Sequence, residues 1–526
     1  KSLPIVYRLL KACIEKKDNM KLKLASCLLT SLCLTFSVHN CLADEADPFS
    51  GLDEAITEIK QASHSKNSII QKFSDNLTLR VKSRGYYRFE KPNRSFTDDD
   101  QQHKHGGMRM ILDSNAGTDS WNMGLNIWAE YGSKESLYSG LSEFFQDDSH
   151  HRRYLEVNEL YFTYYLDNID ITVGKKEINK GLAVLPLTSP LQRYGRWDLV
   201  EPTRPRRLGT WQTTIDYTKE NYSFSFSILP VFPEPKLPVN NSIWLGEHDS
   251  FPDSSILVST TPEFSSTLSS FSQFIGLDTQ QVLDFLNSLV NNNTSPINSF
   301  SVSEEQPDEK LDEFGFYADY KTSLAGLDLM FSAYHGPSVY PVLETQLIGD
   351  FLKIIKQNPI VNNFSTGFSI TRKNVELHGE GLVSFSEGRK DDSYLNYIGG
   401  VIVNLDTVAQ RMHLNSFTAS LEYAGEVEIR EQSHDNYLIS SKDTRLWDDD
   451  FILSTNTGIN DAWNISTLHI SPLSGDGLFN RMEITWQINE KLKWNIGGEI
   501  FDGNNDKYFG IWRENDRIIT GFDFIF

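Results

Sequence analysis

Apolar and polar residues alternate strictly through most of the chain from residue 77 onward. In the run WQTTIDY (211–217), aromatic and branched side chains take the odd positions and polar side chains the even ones. The runs NYSFSFSIL (221–229), RMEITWQIN (481–489) and KLKWNIGGEIF (491–501) repeat the pattern. A period of two is the period of a β-strand whose two faces meet different environments. The sequence therefore predicts an all-β fold with one apolar face on each strand.

Two folds satisfy such alternation. A soluble β-sandwich buries the apolar faces against each other, whereas a membrane barrel turns them towards lipid and needs strands of about 9–11 residues. Eighteen strands are predicted, at 77–89, 106–114, 119–132, 154–166, 169–176, 208–218, 221–231, 312–322, 326–335, 363–373, 375–387, 394–404, 415–427, 449–457, 463–471, 478–488, 491–502 and 515–526. Their connections alternate between long and short, as in outer-membrane barrels. The predicted fold is a closed antiparallel transmembrane β-barrel of about 18 strands, with 16 possible. A soluble sandwich or propeller is the alternative, although no repeat of blade length is present.

The first 43 residues have the layout of an export signal. Met20 begins a basic start that is followed by an apolar stretch, and small residues precede a predicted cleavage site after Ala43. Residues 1–19 are interpreted as upstream sequence. All four cysteines lie in this leader, so the remaining chain does not resemble a small disulfide-stapled domain. Segment 44–74 is predicted to be a periplasmic helix, and segment 75–526 is predicted to form the barrel.

The net charge of the chain is −22, and removal of the basic leader makes it more negative. This balance makes a role in nucleic-acid binding improbable. One segment has the opposite sign and is the main candidate for function. Its basic residues are Lys175, Lys176, Lys180, Arg193, Arg196, Arg204, Arg206 and Arg207. A loop of this composition inside a lumen favours anion selectivity, because guanidinium groups bind carboxylate and phosphate.

Two other interpretations of this basic segment remain open. The arginines could pair with acidic residues on the lumen face of the strands and thereby hold the loop inward, or they could contact lipopolysaccharide outside. The strand phase predicts lumen-facing acids at Glu130, Glu159, Asp216, Asp319, Glu376, Glu380, Glu483 and Glu499.

Two further long connections, 232–311 and 336–362, are candidates for loops that fold into the lumen. Within them, 279–292 and 342–357 carry apolar residues at helical spacing, and each is predicted to form a short amphipathic helix. Catalysis has little support, because Ser384 and His378 lie on one predicted strand without a third partner. No catalytic site, metal site or cofactor is predicted.

The signal peptide, the cysteine-free remainder, the amphipathic strands and the ending GFDFIF resemble those of Gram-negative outer-membrane porins. The strand ITVGKKEINKG and the arginine-rich segment after it are similar to alginate-export-type and other substrate-specific porins. This resemblance implies passive passage of hydrophilic, often anionic solutes. It also implies that Phe522, Phe524 and Phe526 form the signal read by the barrel-assembly machinery.

The leading functional hypothesis is thus an outer-membrane channel for hydrophilic, anionic solutes. The alternative is a non-transporting barrel that acts as a surface receptor, adhesin or scaffold; an outer-membrane enzyme ranks third. The expected partners are outer-membrane lipids, lipopolysaccharide, the assembly machinery and the solute. The sequence is compatible with a monomer or a trimer.

Overall fold

A computed structural model of the protein describes residues 72–73, 75–89, 103–132, 138–139, 152–186, 189–192, 194–199, 201–232, 236–238, 299–305, 307, 313–340, 342–348, 351–432, 437–439, 449–475, 477–503 and 509–526. The predicted leader, nearly all of the predicted helix 44–74 and the predicted helix 279–292 lie outside these residues.

Eighteen long strands occur among the described residues. The first nine are β1 (Thr78–Arg88), β2 (Lys104–Thr118), β3 (Trp121–Gly132), β4 (Arg152–Leu166), β5 (Ile169–Lys176), β6 (Thr210–Lys219), β7 (Tyr222–Leu229), β8 (Gly315–Leu324) and β9 (Leu327–Pro337). The other nine are β10 (Ile360–Arg372), β11 (Val375–Ser386), β12 (Ser393–Asn404), β13 (Ser416–Arg430), β14 (Asp450–Gly458), β15 (Trp463–Pro472), β16 (Gly477–Gln487), β17 (Leu492–Gly503) and β18 (Arg517–Ile525).

The eighteen strands close into one barrel. Each strand pairs antiparallel with the next along the chain. The last strand, β18, pairs with β1 from Arg80↔Ile525 to Arg88↔Arg517. Closure matters because backbone polar groups in lipid must all be paired. The predicted fold class and strand number are confirmed, and each predicted strand overlaps an observed one.

The two faces of the sheet differ as the alternation requires. On β10, the outward Phe364 is 56% exposed, whereas its neighbour Asn363 is 7% exposed and faces the lumen. Large apolar side chains are exposed on the outer face of most strands, among them Phe162, Val173, Ile215, Phe224, Phe331, Leu421, Phe451, Met482, Ile500 and Phe522. Charged side chains are buried on the inner face, among them Glu130, Asp319, Glu380, Glu499 and Arg517. An apolar exterior around a polar lumen is the arrangement of a transmembrane barrel.

The two rims of the barrel differ in the length of their connections. On one rim the strands are joined by turns of two to four residues, except for the β12–β13 connection, which contains the helix α1 (Asp406–Arg411). The opposite rim carries the long connections, including 3₁₀ helices at Glu387–Arg389 and Gly510–Asn515. Among the described residues, no helix is long and apolar enough to cross a lipid bilayer.

Segment 342–357 is not a helix, so that prediction is wrong. It forms a hairpin of the strands Val342–Ile348 and Phe351–Gln357. Two residues, Gly and Asp, separate the strands, and this pair is a common signal for a hairpin turn. The hairpin belongs to a small sheet in which Ser299–Glu305 pairs parallel with its second strand and Tyr437–Ile439 with its first. A two-residue pairing, Leu237–Pro238 with Tyr138–Ser139, also lies outside the barrel wall.

Candidate pore constriction

The connection between β5 and β6, residues 177–209, folds into the barrel and is named the constriction loop. It contains the 3₁₀ helix Pro190–Gln192 and two short strands, Arg196–Asp198 and Arg206–Leu208, which pair with each other. Its side chains and backbone contact lumen residues of strands on opposite sides of the barrel. The sequence left open whether this segment lies inside the lumen or outside the barrel, and the contacts with the lumen face place it inside.

The loop enters the lumen over a buried aromatic cluster. Ile178 and Tyr194 pack with Tyr317 on β8, Tyr334 on β9 and other buried side chains of the wall. The rings of Tyr194 and Tyr317 are 4.1 Å apart between centroids. Such close aromatic packing fixes the loop by contact area rather than by charge.

The far arm of the loop, residues 182–186 and 189–191, is held by two carboxylates. Glu380 on β11 accepts hydrogen bonds from the backbone N–H groups of Leu182, Ala183 and Leu191, and from the Ser189 hydroxyl.

Glu422 on β13 accepts the N–H of Val184 at 2.7 Å and also contacts His378 Nε2 at 2.8 Å. The loop contributes only main-chain groups and one serine to these contacts. Consequently, the composition of this apolar arm gives no sign of its anchors.

The near arm, residues 196–206, is held by ion pairs. Arg204 donates through Nε to Glu499 Oε1 at 3.0 Å and through Nη1 to Glu483 Oε2 at 2.9 Å. Burial by itself lowers the pKa of Arg204, but the neighbouring carboxylates of Glu499, Glu201 and Glu483 outweigh burial and raise it above the usual arginine value. Arg204 therefore keeps its charge at every pH the barrel meets.

Glu201 joins the loop to the seam between β18 and β1. Its carboxylate accepts hydrogen bonds from Arg84 Nη1 at 2.7 Å and from Arg517 Nη2 at 2.8 Å. Arg517 is itself buried and also binds Glu499 at 2.6 Å. The guanidinium and carboxylate groups therefore alternate around this part of the lumen.

A second charge cluster surrounds Glu156 on β4. Its carboxylate lies 2.5 Å from Lys175 Nζ, 3.0 Å from Arg196 Nη1 and 2.9 Å from Lys236 Nζ. Lys236 comes from the β7–β8 connection and is fully buried. Its backbone bonds to the loop, since its N–H donates to Trp197 O at 2.8 Å. A short part of the longest connection, 232–311, therefore enters the lumen.

Glu130 on β3 marks a third contact. It pairs with Arg109 on β2 and with Arg206 of the loop, the latter at 3.4 Å. Arg109 also donates to Asp198 of the loop at 3.1 Å. Leu208 then packs on Ile111 and Trp128, which face the lumen.

A cavity of about 410 Å³ remains between the near arm and the wall formed by β1–β3 and β16–β18. The charged residues that line it are six cations and four acids: Lys82, Arg84, Arg109, Arg204, Arg206 and Lys493, and Glu130, Glu201, Glu483 and Asp523. The Nη2 atom of Arg204 is buried here without a hydrogen-bond partner. The lining thus has an excess of positive charge.

The predicted basic residues occupy different places. Arg204 and Arg206 line the cavity, whereas Lys175 and Arg196 bind Glu156 away from its lining. Arg207 lies over the Trp197 ring, and Lys176 lies over the Tyr161 ring. Lys180 pairs with Asp319 at 2.9 Å. Arg193 lies outside the described residues.

The predicted acids also divide into two groups. Six contact the constriction loop: Glu130, Glu159, Asp319, Glu380, Glu483 and Glu499. Glu159 accepts the backbone N–H of Glu177 at the start of the loop. Glu376 instead accepts a hydrogen bond from Ser369, and Asp216 lies opposite Asp170 on β5. These last two acids lie on the lumen side of the strands beyond the loop contacts.

Several residues of the site were missed by the sequence reasoning. On the wall they are Lys82, Arg84, Arg109, Glu156, Lys493 and Asp523, and in the connections they are Asp198 and Lys236. The strand phase that identified the acids would have identified Lys82 and Arg84, because both lie on the polar face of β1. It would have misplaced Glu156, which lies three residues before Glu159 and reaches the lumen only because β4 has a β-bulge between them. No comparable signal exists for Lys236, whose position depends on a long-range contact.

No protein-family model and no curated protein matches the sequence. Among solved structures, the chain is similar to OccAB3 of Acinetobacter baumannii, with a TM-score of 0.44 and 8% identity over 86% of this chain and 98% of that chain. OccK8 (OprE) of Pseudomonas aeruginosa gives 0.43 and 8% over 86% and 97%. A mutant Rhodopseudomonas blastica porin gives 0.35 and 10% over 86% and 100%. Similarities this low carry no inference about function, which must rest on the lumen itself.

Proposed function

We propose that the protein is an outer-membrane channel through which small hydrophilic solutes pass without an energy source. The observation that carries the proposal is the polar cavity beside the constriction loop, enclosed by a barrel with an apolar exterior. A barrel of this many strands is wide enough to hold water, and an inward loop then sets the size of what passes. We infer no catalytic role for any residue.

The preferred solutes are anions. Six cationic and four acidic side chains line the cavity, and Lys82 and Lys493 are among the more exposed of them. Rings of lysine and arginine give anion selectivity to pores because they lower the electrostatic barrier for negative solutes. The acids at this site pair with arginines and fix their positions, so the pairing and anion-contact interpretations of the loop are compatible.

Reconstitution into planar lipid bilayers tests this function. We expect steady conductance with a reversal potential that shows anion preference. The double change Lys82→Gln and Lys493→Gln should reduce that preference, because it removes two charges from the lining. Arg207→Gln is the matched control, since Arg207 lies over Trp197 and does not line the cavity. If the double variant keeps the wild-type reversal potential, Lys82 and Lys493 do not lie on the path of the permeating anion.

A second candidate function is a closed barrel that serves as a surface receptor, adhesin or scaffold. The extent of the constriction loop favours it, because the loop contacts wall residues on β2, β11, β13 and β18 and so crosses the lumen. This candidate predicts no conductance, even after deletion of residues 240–308 in the longest connection. Stable conductance of the intact protein would rule it out.

The partners follow from the same proposal. The exposed apolar belt would contact outer-membrane lipid and lipopolysaccharide. Phe522, Phe524 and Phe526 would present the recognition signal for the barrel-assembly machinery, and Phe522 is 49% exposed on the outer face. Both a monomer and a trimer are compatible with this surface.

A further inference from the structure

The far arm of the constriction loop is anchored in an unusual way. Glu380 is buried, and its contacts are three backbone N–H groups and one hydroxyl. In the described part of the chain, no lysine or arginine forms an ion pair with it. The near arm, by contrast, is held by ion pairs such as Arg204–Glu483.

The wall beneath the far arm is shaped to receive it. A Cβ atom at Gly367 on β10 would lie 3.1 Å from Leu191 Cδ1 and 3.4 Å from Leu182 Cδ1. A Cβ atom at Gly400 on β12 would lie 2.6 Å from Glu422 Cγ. Two glycines thus give the arm and its second anchor room to lie against the wall.

We propose that Glu380 is an acid-sensitive latch for the constriction loop, so that proton binding releases the far arm and widens the passage. This inference rests on the proposed channel function. An ionised carboxylate accepts hydrogen bonds at both oxygens, whereas a protonated carboxyl group carries a donor of its own, which only the Ser189 hydroxyl could accept by turning. Protonation removes the negative charge and therefore weakens the hydrogen bonds from the three backbone N–H groups.

The groups around Glu380 place the sensitivity at this residue. The titratable groups that face it are Glu376 and His378 on β11, Glu422 on β13 and Tyr194 of the loop. His378 Nε2 lies 2.8 Å from Glu422 Oε1, so the second anchor of the far arm has an imidazole partner. Among the described residues, no imidazole, lysine or arginine side chain hydrogen-bonds to Glu380, although His378 lies two residues away on the same face of β11. The Val184 contact then acts as the point about which the released arm moves.

Amide hydrogen exchange of the folded, detergent-solubilised barrel tests the latch without using transport. At neutral pH, Glu380→Gln should increase exchange at Leu182, Ala183 and Leu191 by about tenfold or more, the loss expected when hydrogen bonds to a charged group are removed. Glu376→Gln is the control, because Glu376 lies on the same strand and, among the described residues, hydrogen-bonds to Ser369 and not to the constriction loop. Equal protection in the wild type and in Glu380→Gln would overturn the latch.

Conductance provides the second measurement. As pH falls from about 7 to about 4, across the range in which carboxylates titrate, wild-type conductance should rise reversibly, while Glu380→Gln should already show the higher value at neutral pH. Conductance that is constant or falls with acid would overturn the latch and leave the channel standing. A barrel that never conducts would instead overturn the proposed function, and the exchange data would still report on the anchor.

Discussion

Arg204 of the constriction loop donates a hydrogen bond through Nε to Glu499 Oε1 on β17, at 3.0 Å and across 295 residues of sequence. Glu499 has no exposed side-chain surface and also binds Arg517. A buried carboxylate between two guanidinium groups is stable only while both remain. This contact ties the loop to a strand of the wall that is not adjacent to β5, where the loop begins.

The first prediction concerns that carboxylate. Glu499→Gln should destabilise the folded barrel by about 3–5 kcal/mol, because the change leaves two buried guanidinium groups without their shared partner. The measurement is thermal unfolding in detergent. Glu483→Gln is the control: Glu483 is partly exposed and, in the described part of the chain, forms an ion pair with Arg204 alone, so its loss should cost clearly less. Equal effects of the two changes would show that the loop is not anchored at Glu499.

The second prediction concerns Gly209, which joins the constriction loop to β6. A Cβ atom there would lie 1.8 Å from Asn158 O, and the Gly209 N–H donates to Asn158 Oδ1 at 2.9 Å. Gly209→Ala should therefore displace the end of the loop at a cost of about 1–3 kcal/mol or more. At Gly381 the nearest atom to a Cβ would be 3.9 Å away, so Gly381→Ala should be tolerated. Unfolding temperatures of both variants check the difference.

The third prediction is a pH dependence that arises from Lys236. Burial lowers the pKa of Lys236 from 10.5 to about 8, although Glu156 opposes the shift. Between these two pH values, the unfolded chain holds a proton that the folded protein has released, so the folded state gains stability as pH rises. Relative to Lys236→Met, the wild type should gain unfolding temperature from about pH 8 to 10.5 and keep a constant difference below pH 8. If the unfolding temperatures of the wild type and of Lys236→Met differed by the same amount at every pH, burial would not lower the pKa of Lys236.

The fourth prediction separates the two faces of β16. Met482 is exposed on the outer face, and Thr485 lines the cavity. Met482→Arg should cost about 2–4 kcal/mol, because it places a charge in the lipid belt. Thr485→Arg should fold normally and increase anion preference. Unfolding in lipid or detergent measures the stability of both variants, and the reversal potential measures their anion preference. If Thr485→Arg were the less stable variant, the two faces of β16 would be assigned wrongly.

The barrel could be predicted from the sequence because each strand carries its own evidence. In a run such as residues 221–229, the alternation of apolar and polar side chains can be recognised from neighbouring residues alone. The same alternation occurs along every strand, because one face of the sheet contacts lipid and the other contacts water. Closure followed, because a membrane sheet cannot leave an open edge. The error at 342–357 has the same local origin, since apolar residues in a short segment suit both a helix and a hairpin.

The site could be predicted only in part, because its contacts join residues far apart in sequence. The positive charge of the constriction loop and the acids on the wall could both be identified from the sequence. Which arginine meets which acid was not, since Glu499 and Arg204 come together only when the barrel closes. Anchors made by backbone groups, as at Glu380, leave no side-chain pattern to detect.

The most direct test of the whole account compares two positions that lie side by side in the wall. Lys493 pairs in register with Asp523, next to the outward Phe522, and both Lys493 and Phe522 have exposed surface in the bare protein. The four cysteines all lie within the first 41 residues, so single-cysteine variants expressed from residue 44 onward carry one thiol each. In the membrane-embedded protein, a charged thiol reagent should modify Lys493→Cys rapidly and reduce conductance, and should leave Phe522→Cys unmodified. Equal modification of both positions, or modification at Lys493→Cys without any effect on conductance, would contradict a water-filled passage inside a lipid-covered barrel.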